Sequence, residues 1–241
     1  MNLLASDITA LWLTLQLAAV TTVILMVIGA PLAWWLSRST SRFASVIEAT
    51  VALPLILPPT VIGFYLLIAF SPDNFLGSSW LALTGQPLAF TFSGLVVGSV
   101  IYSLPFVVQP LQSGFQHFDH KLLEAAETMG AGTLDRFLNL IIPLTRRAFA
   151  TAALLGFAHT MGEFGVVLMI GGNIPGETQV LSIALYDHVE ALDYQRAHWL
   201  AGGLLIFSFA LLILLYGFNR HKAANSKVTN SKVTQTGVKQ L

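Results

Sequence analysis

The chain alternates long apolar runs with short polar interruptions. Residues 8–37 carry no charge over thirty positions, more than the roughly twenty needed to cross a hydrocarbon core. This run predicts a spanning helix over 9–36, with Pro31 as a kink point near its end and Thr14, Gln16, Thr21 and Thr22 available to face other helices. A secretory leader has a basic start and an apolar core of roughly 7–15 residues. This segment has Asp7 and no Lys or Arg before the run, so it reads as a retained span.

A short polar loop carries Arg38 and Arg42, and a second charge-free run predicts a span over 49–70. Pro54, Pro58 and Pro59 fall within six residues of it and should break or bend the helix. Bare backbone in lipid costs several kcal/mol per group, so the break is expected inside protein or against a cavity. It is either a kinked packing element or part of a permeation path. Residues 71–87 read as a loop, with Trp80 as an interfacial anchor. A third span is predicted over 88–111, with Gly94 and Gly98 in close-packing spacing and Pro105 and Pro110 bending its far end.

Residues 112–147 are too polar to cross. A fourth span is predicted over 148–170, with His159 and Glu163 near one end. A long loop follows, in which 180–189 form a short helix, and a fifth span covers 197–218. The tail 221–241 repeats Asn-Ser-Lys-Val-Thr, lacks aromatics and reads as disordered. The expected fold class is therefore all-α, a polytopic membrane protein of about five helices in one domain, 1–220.

Composition agrees with this pattern. Only 10% of residues are charged, against roughly 25% in soluble domains. Mean hydropathy is +0.72 and formal net charge is zero, so no basic field attracts nucleic acid. Cysteine is absent, which excludes disulfides, thiolate catalysis and cysteine metal sites. His159 and His198 read as packing or interfacial residues, and no metal site is expected. No Gly-x-x-x-x-Gly-Lys-Ser/Thr phosphate loop occurs.

Five alternating spans leave eleven of the twelve Lys and Arg residues on one side, with only Arg196 opposite. Without the three lysines of the repeated tail the split is still eight to one. The positive-inside rule then places loop 112–147 and the C-terminus in the cytoplasm and the N-terminus outside.

That loop has its own pattern. Leu122, Leu123, Ala126 and Met129 suggest a helix that leaves Glu124 and Glu127 to solvent. Gly130-Ala131-Gly132 form a turn, and Thr133 is placed to cap a second helix. Leu134, Phe137, Leu138 and Ile141 fall at i, i+3, i+4 and i+7, one apolar face. Pro143 is expected to open the fourth membrane helix. These residues alone fit either two helices lying on the bilayer or a docking element.

Glu124-Ala125-Ala126, then Gly130, Leu140, Ile142 and Pro143, resemble the Glu-Ala-Ala loop of bacterial ABC importer permeases. Three further stretches are similar to the molybdate permeases of that family: 53–63, 161–165 and 172–178. Sulfate and thiosulfate permeases share comparable segments but are usually longer, and tungstate is nearly alike in size and charge to molybdate. The resemblance implies a type I ABC importer membrane domain in the bacterial inner membrane. It implies a second copy of the chain, two cytoplasmic ATPase subunits that bind ATP and magnesium, and an external periplasmic or lipoprotein oxyanion-binding protein. No cofactor is expected in this chain itself.

By the same resemblance Glu124, Ala125, Ala126, Gly130, Leu134, Phe137 and Pro143 contact the ATPase. Glu124 has either an internal partner in Arg146 or Arg147 or one on the ATPase. Pro54, Pro58, Pro59, Thr60, Gly162, Glu163 and Gly165 are pathway or gate candidates. A carboxylate does not attract a dianion, so Glu163 is expected to be structural, held by backbone N–H groups or by an arginine of the neighbouring copy; a cation or proton site is the lesser reading. Thr60, Ser99, Ser103 and Thr160 are candidate hydrogen-bonding groups for an oxyanion. Asn173, Pro175 and Gly176 belong to an outer loop expected to receive the binding protein. Two other classes compete: a non-transporting membrane scaffold, and an ion-driven secondary transporter, which usually has two related halves and more spans.

Overall fold

The computed structural model describes residues 5–118 and 120–220, and the repeated tail lies outside the described residues. The described segments are helices joined by short turns. In order they are α1 (Ala5–Arg38), α2 (Arg42–Ala52), α3 (Pro59–Phe70), α4 (Phe75–Thr84), α5 (Phe92–Gln116), α6 (His120–Thr128), α7 (Thr133–Arg136), α8 (Ile142–Leu144), α9 (Arg146–Met161), α10 (Gly165–Gly171), α11 (Leu181–Glu190) and α12 (Tyr194–Arg220).

Helices α1, α5 and α9 pack together as the central unit. Between lipid-soluble helices there is no hydrophobic drive, so close approach at small residues supplies the attraction. Gly29 of α1 and Gly156 of α9 both abut Val107 of α5, and Gly114 of α5 abuts Ala148. Around this crossing sits one core cluster, with Leu25, Ala33, Leu111, Phe115, Leu123 and Ile141. A second cluster, at the other end, joins Leu17, Phe70, Leu95, Val166, Ile170 and Ile183. Gly98 fits there, since a Cβ at its position would meet Ile170.

Among the described residues α1, α5 and residues Tyr194–Gly217 of α12 are long and apolar enough to cross a membrane. Two bent helix pairs raise the number to five if each counts as one crossing. In the first pair α2 and a 3-10 turn (Leu53–Leu55) meet α3 at 111°. The predicted second span is therefore sharply broken at its prolines. The break is not packed inside this chain: Ile56 is 82% exposed, and Leu53, Leu55 and Leu57 are exposed too.

Several other expectations change. Residues 71–87, read as a loop, contain α4, whose left-handed C-cap is Gly85. Helix α5 runs through Pro105 and Pro110 to Gln116 as one helix, as membrane helices allow when neighbours re-satisfy the freed carbonyls. The predicted fourth span is not continuous. α9 ends at Met161, and α10 begins at Gly165 after a non-helical step in which Phe164 takes φ −129° and ψ −59°. Pro143 does not open that span either. It lies in α8, and the chain turns 78° at Thr145 before α9 starts. Helix α12 is barely covered by the rest of the chain: Trp199, Leu205, Ile206, Phe209 and Ile213 are all exposed.

Candidate functional site

Three features build the candidate site, and they lie along the length of the bundle. The first is the turn between α6 and α7. Leu123 anchors α6 in the core, while Leu122, Glu124 and Ala125 are exposed and Ala126 is half-buried. The helix ends in a Schellman arrangement: the Ala131 N–H donates to the Ala126 carbonyl at 3.0 Å and the Gly130 N–H to that of Glu127 at 2.9 Å. That motif needs a left-handed residue at its hinge, and Gly130 takes φ +85°. Glu127 then pairs with Arg136 at 3.0 Å across the turn. Glu124 makes no ion pair with Arg146 or Arg147 among the described residues.

The second half of this element departs from the predicted pattern. Its N-cap is Gly132 and Thr133 is the first helical residue, with no side-chain cap bond. Residues Phe137–Ile141 wind as a π-helix, whose i→i+5 spacing rotates later side chains away from an α-helical face. The expected apolar face therefore splits. Ile141 is buried and Phe137 packs edge-on to Trp34, whereas Leu134 is 71% exposed and Leu138 is exposed. Met129 is 86% exposed as well, and Leu134 borders a cavity of about 490 Å³ against Pro31 and Trp34 of α1.

The second feature is a cavity of about 600 Å³ where the two backbone breaks meet. Pro59 and Thr60 from the start of α3 line it together with Gly162, Glu163 and Gly165. These are five of the seven residues expected in a pathway; Pro54 and Pro58 lie outside its lining. Gly165 makes the junction possible, because a Cβ there would sit 2.8 Å from Pro59 Cβ. No Lys or Arg lines the cavity; Tyr102, His159, Leu168 and Met169 do. Sequence periodicity had no means of placing Tyr102 there, since polar residues such as Ser99, Ser103 and Gln109 are scattered along the same helix and mark no single face.

Glu163 is 4% exposed, and its carboxyl group faces the buried Ser99 hydroxyl without a well-formed hydrogen bond to it or to any other described residue. The expected backbone N–H groups do not hold it. Its main-chain carbonyl is fixed instead, accepting from Ser182 Oγ at 2.6 Å. His159 is a packing residue: it stacks on Phe106 at 3.8 Å, and its Nδ1 lies 2.9 Å from Ser103 Oγ. Of the four candidate hydroxyls only Thr60 reaches the cavity lining. Ser103 and Thr160 bond each other at 3.1 Å, and Ser99 is buried. Among the described residues no group of three or more His, Asp or Glu is gathered as a metal site.

The third feature is loop 172–180 between α10 and α11. Gly172, Asn173 and Gly176 all take left-handed φ, at +68°, +58° and +81°. Thr178, fully buried, accepts from the Ile174 N–H at 2.9 Å and donates to the Gly171 carbonyl at 2.6 Å. Pro175, Gly176 and Glu177 remain exposed at the tip. Helix α11 is tied to α1 at both ends: the Leu181 N–H donates to Thr14 Oγ1 at 2.7 Å, and His188 Nε2 lies 3.0 Å from Asp7 Oδ1. On the exposed side of α11, the Tyr186 hydroxyl donates to Glu190 at 2.8 Å, which raises its pKa above the usual tyrosine value.

Residues 26–223 match the family described as binding-protein-dependent transport system inner membrane component. The chain is 55% identical over 226 residues to the molybdenum transport system permease protein ModB of Azotobacter vinelandii, covering 94% of this chain and 100% of the relative. It is 33% identical to the sulfate transport system permease protein CysT of Escherichia coli strain K12, over 86% of this chain and 73% of that one. In fold it is similar to a chain of a bacterial alginate ABC transporter crystallised with its pentasaccharide-bound periplasmic protein. The TM-score is 0.70 at 14% identity, covering 90% of this chain and 80% of that one.

Proposed function

Because the chain belongs to the family of binding-protein-dependent transport system inner membrane components, we propose that it is the permease subunit of an ATP-driven molybdate importer. The observation that carries this reading is the exposed α6–α7 element. It presents exposed apolar side chains and the small Ala125 of α6 beside a glycine turn, a form suited to seating in a groove of a separate ATPase. That ATPase binds ATP and magnesium and supplies the energy. The substrate class follows from the relative matched over its whole length. Sulfate, thiosulfate and tungstate are the competing oxyanions.

Two copies of the chain form the pathway. Support comes from the cavity's surroundings: the non-helical backbone at Ile56, Leu57 and Pro58, beside Pro59 and Thr60, is exposed in the single chain, and bare backbone groups at membrane depth need protein or a water-filled cavity against them. The α6–α7 element faces the cytoplasm, and the N-terminus lies outside. Arg38 and Arg42 flank the same core cluster as Leu123 and Ile141, at the end opposite Asp7 and loop 172–180. This grouping does not depend on how the bent second helix pair is counted. The outer loop then faces a substrate-loaded binding protein.

In this cycle ATP-driven closure of the ATPase pair draws the two α6–α7 elements together. The motion reaches α9 through the 78° turn at Thr145 and the cavity through α9. The cavity wall carries no cation, so it holds an oxyanion weakly and passes it on. Selectivity resides in the external protein.

The test is reconstitution in liposomes with the ATPase and the binding protein. Uptake of molybdate is expected to require ATP and both partners, and to exceed sulfate uptake. Preferred sulfate uptake would replace the substrate; absence of any ATP dependence would remove the importer reading.

A further inference from the structure

The outer loop is closed by a residue that lies outside it. Asp187, on α11, accepts three hydrogen bonds from the two ends of the loop. Asn173 Nδ2 reaches both carboxylate oxygens at 3.0 Å, and Gln179 Nε2 reaches Oδ2 at 2.8 Å. We propose that Asp187 is a positioning residue, whose carboxylate holds loop 173–179 in the shape that a loaded binding protein reads. The inference rests on the proposed function, in which this loop is the docking site.

The geometry is specific. Asn173 sits at φ +58°, a conformation in which a side chain with a Cβ is strained. Its Oδ1 is buried and has no partner among the described residues, so the side chain is held only through its Nδ2. Charge-assisted bonds are stronger than neutral ones, and a single carboxylate supplies all three here. Inside the loop the N–H groups of Glu177, Thr178 and Gln179 all donate to the Ile174 carbonyl, between 2.9 and 3.1 Å. The tip is thus a preformed turn whose two ends are joined through Asp187. Preorganisation of this kind lowers the ordering cost of binding. Asp187 itself is half-buried behind the exposed tip, which suits holding the loop rather than touching the partner.

Asp187→Asn replaces an acceptor oxygen by an N–H₂ facing two amide donors. In the reconstituted complex, ATP hydrolysis is measured against rising concentrations of molybdate-loaded binding protein. The half-saturating concentration is expected to rise about tenfold, the scale of one lost charge-assisted bond, while the rate at saturation changes by less than about twofold. The exchange Asn173→Asp with Asp187→Asn restores a carboxylate–amide pair and is expected to recover most of the shift. An unchanged half-saturation in Asp187→Asn, or a fall in the saturated rate with no such shift, overturns the inference. Failure of the binding protein to stimulate the unmutated complex overturns the proposed function, and the inference with it.

Discussion

Ala125→Trp is expected to abolish ATP-driven uptake, by at least about a hundredfold, equal to some 2.7 kcal/mol of lost coupling. Ala125 lies exposed on α6, between the buried anchor Leu123 and the Schellman turn at Gly130. Ala125 is exposed, so an indole there points away from the core of this chain, and exchanging alanine for tryptophan in a helix costs only a fraction of a kcal/mol. The protein should therefore fold and reach the membrane in normal amounts. The damage falls on the docked state, because a well-packed interface does not absorb an added ring without several kcal/mol of strain. Pull-down of the ATPase by the tagged chain measures this directly. Retained ATPase binding with retained uptake would remove α6 from the interface.

The second large effect lies at the cavity. Gly165→Val places a branched side chain where the Cβ alone would approach Pro59 Cβ to 2.8 Å. A proline ring has little freedom to move aside, so α3 and α10 must separate at their first residues. The strain is on the order of 1–3 kcal/mol, enough to shift a bistable pathway without unfolding the bundle. The α6–α7 element packs in the other core cluster, with Leu123 and Ile141, so the ATPase is still expected to assemble and hydrolyse ATP. Uptake is expected to fall at least about tenfold, giving an uncoupled complex. Gly162→Ala is the control on the same cavity wall: its Cβ would meet only the Ala158 and His159 carbonyls, at 3.9 Å. It should transport close to normally. Equal losses in both variants would mean that glycine at the break is needed for flexibility rather than for the Pro59 contact.

Much of this architecture is legible in the residues themselves. Charge-free runs mark the spans because each charge in hydrocarbon is costly. The lopsided Lys and Arg distribution groups the basic loops, and in the structure Leu36 and Ala44 beside the first of them share one core cluster with Leu123 and Ile141 of the second. Gly130 announces its turn because few other residues take a positive φ there. The proline triplet announces a break, though not its 111° angle or its exposure in the single chain. What escaped is set by tertiary contacts. The π-winding at 137–141 leaves no local signature and undoes a clean i, i+3, i+4, i+7 pattern. The step at 162–164 is masked by glycines that are common in membrane helices. The two ends of loop 172–180 are joined through Asp187, which lies beyond the loop and looks like one more acidic residue of a polar stretch.

The natural chain has no cysteine, so a thiol placed at one position reports on that position alone. A bifunctional thiol-to-amine reagent applied to the reconstituted complex carrying Ala125→Cys tests whether the α6–α7 element meets the ATPase. A cross-link between this chain and the ATPase is expected, and none from a Pro175→Cys variant at the outer loop. A cross-link from Pro175→Cys and none from Ala125→Cys would contradict that contact.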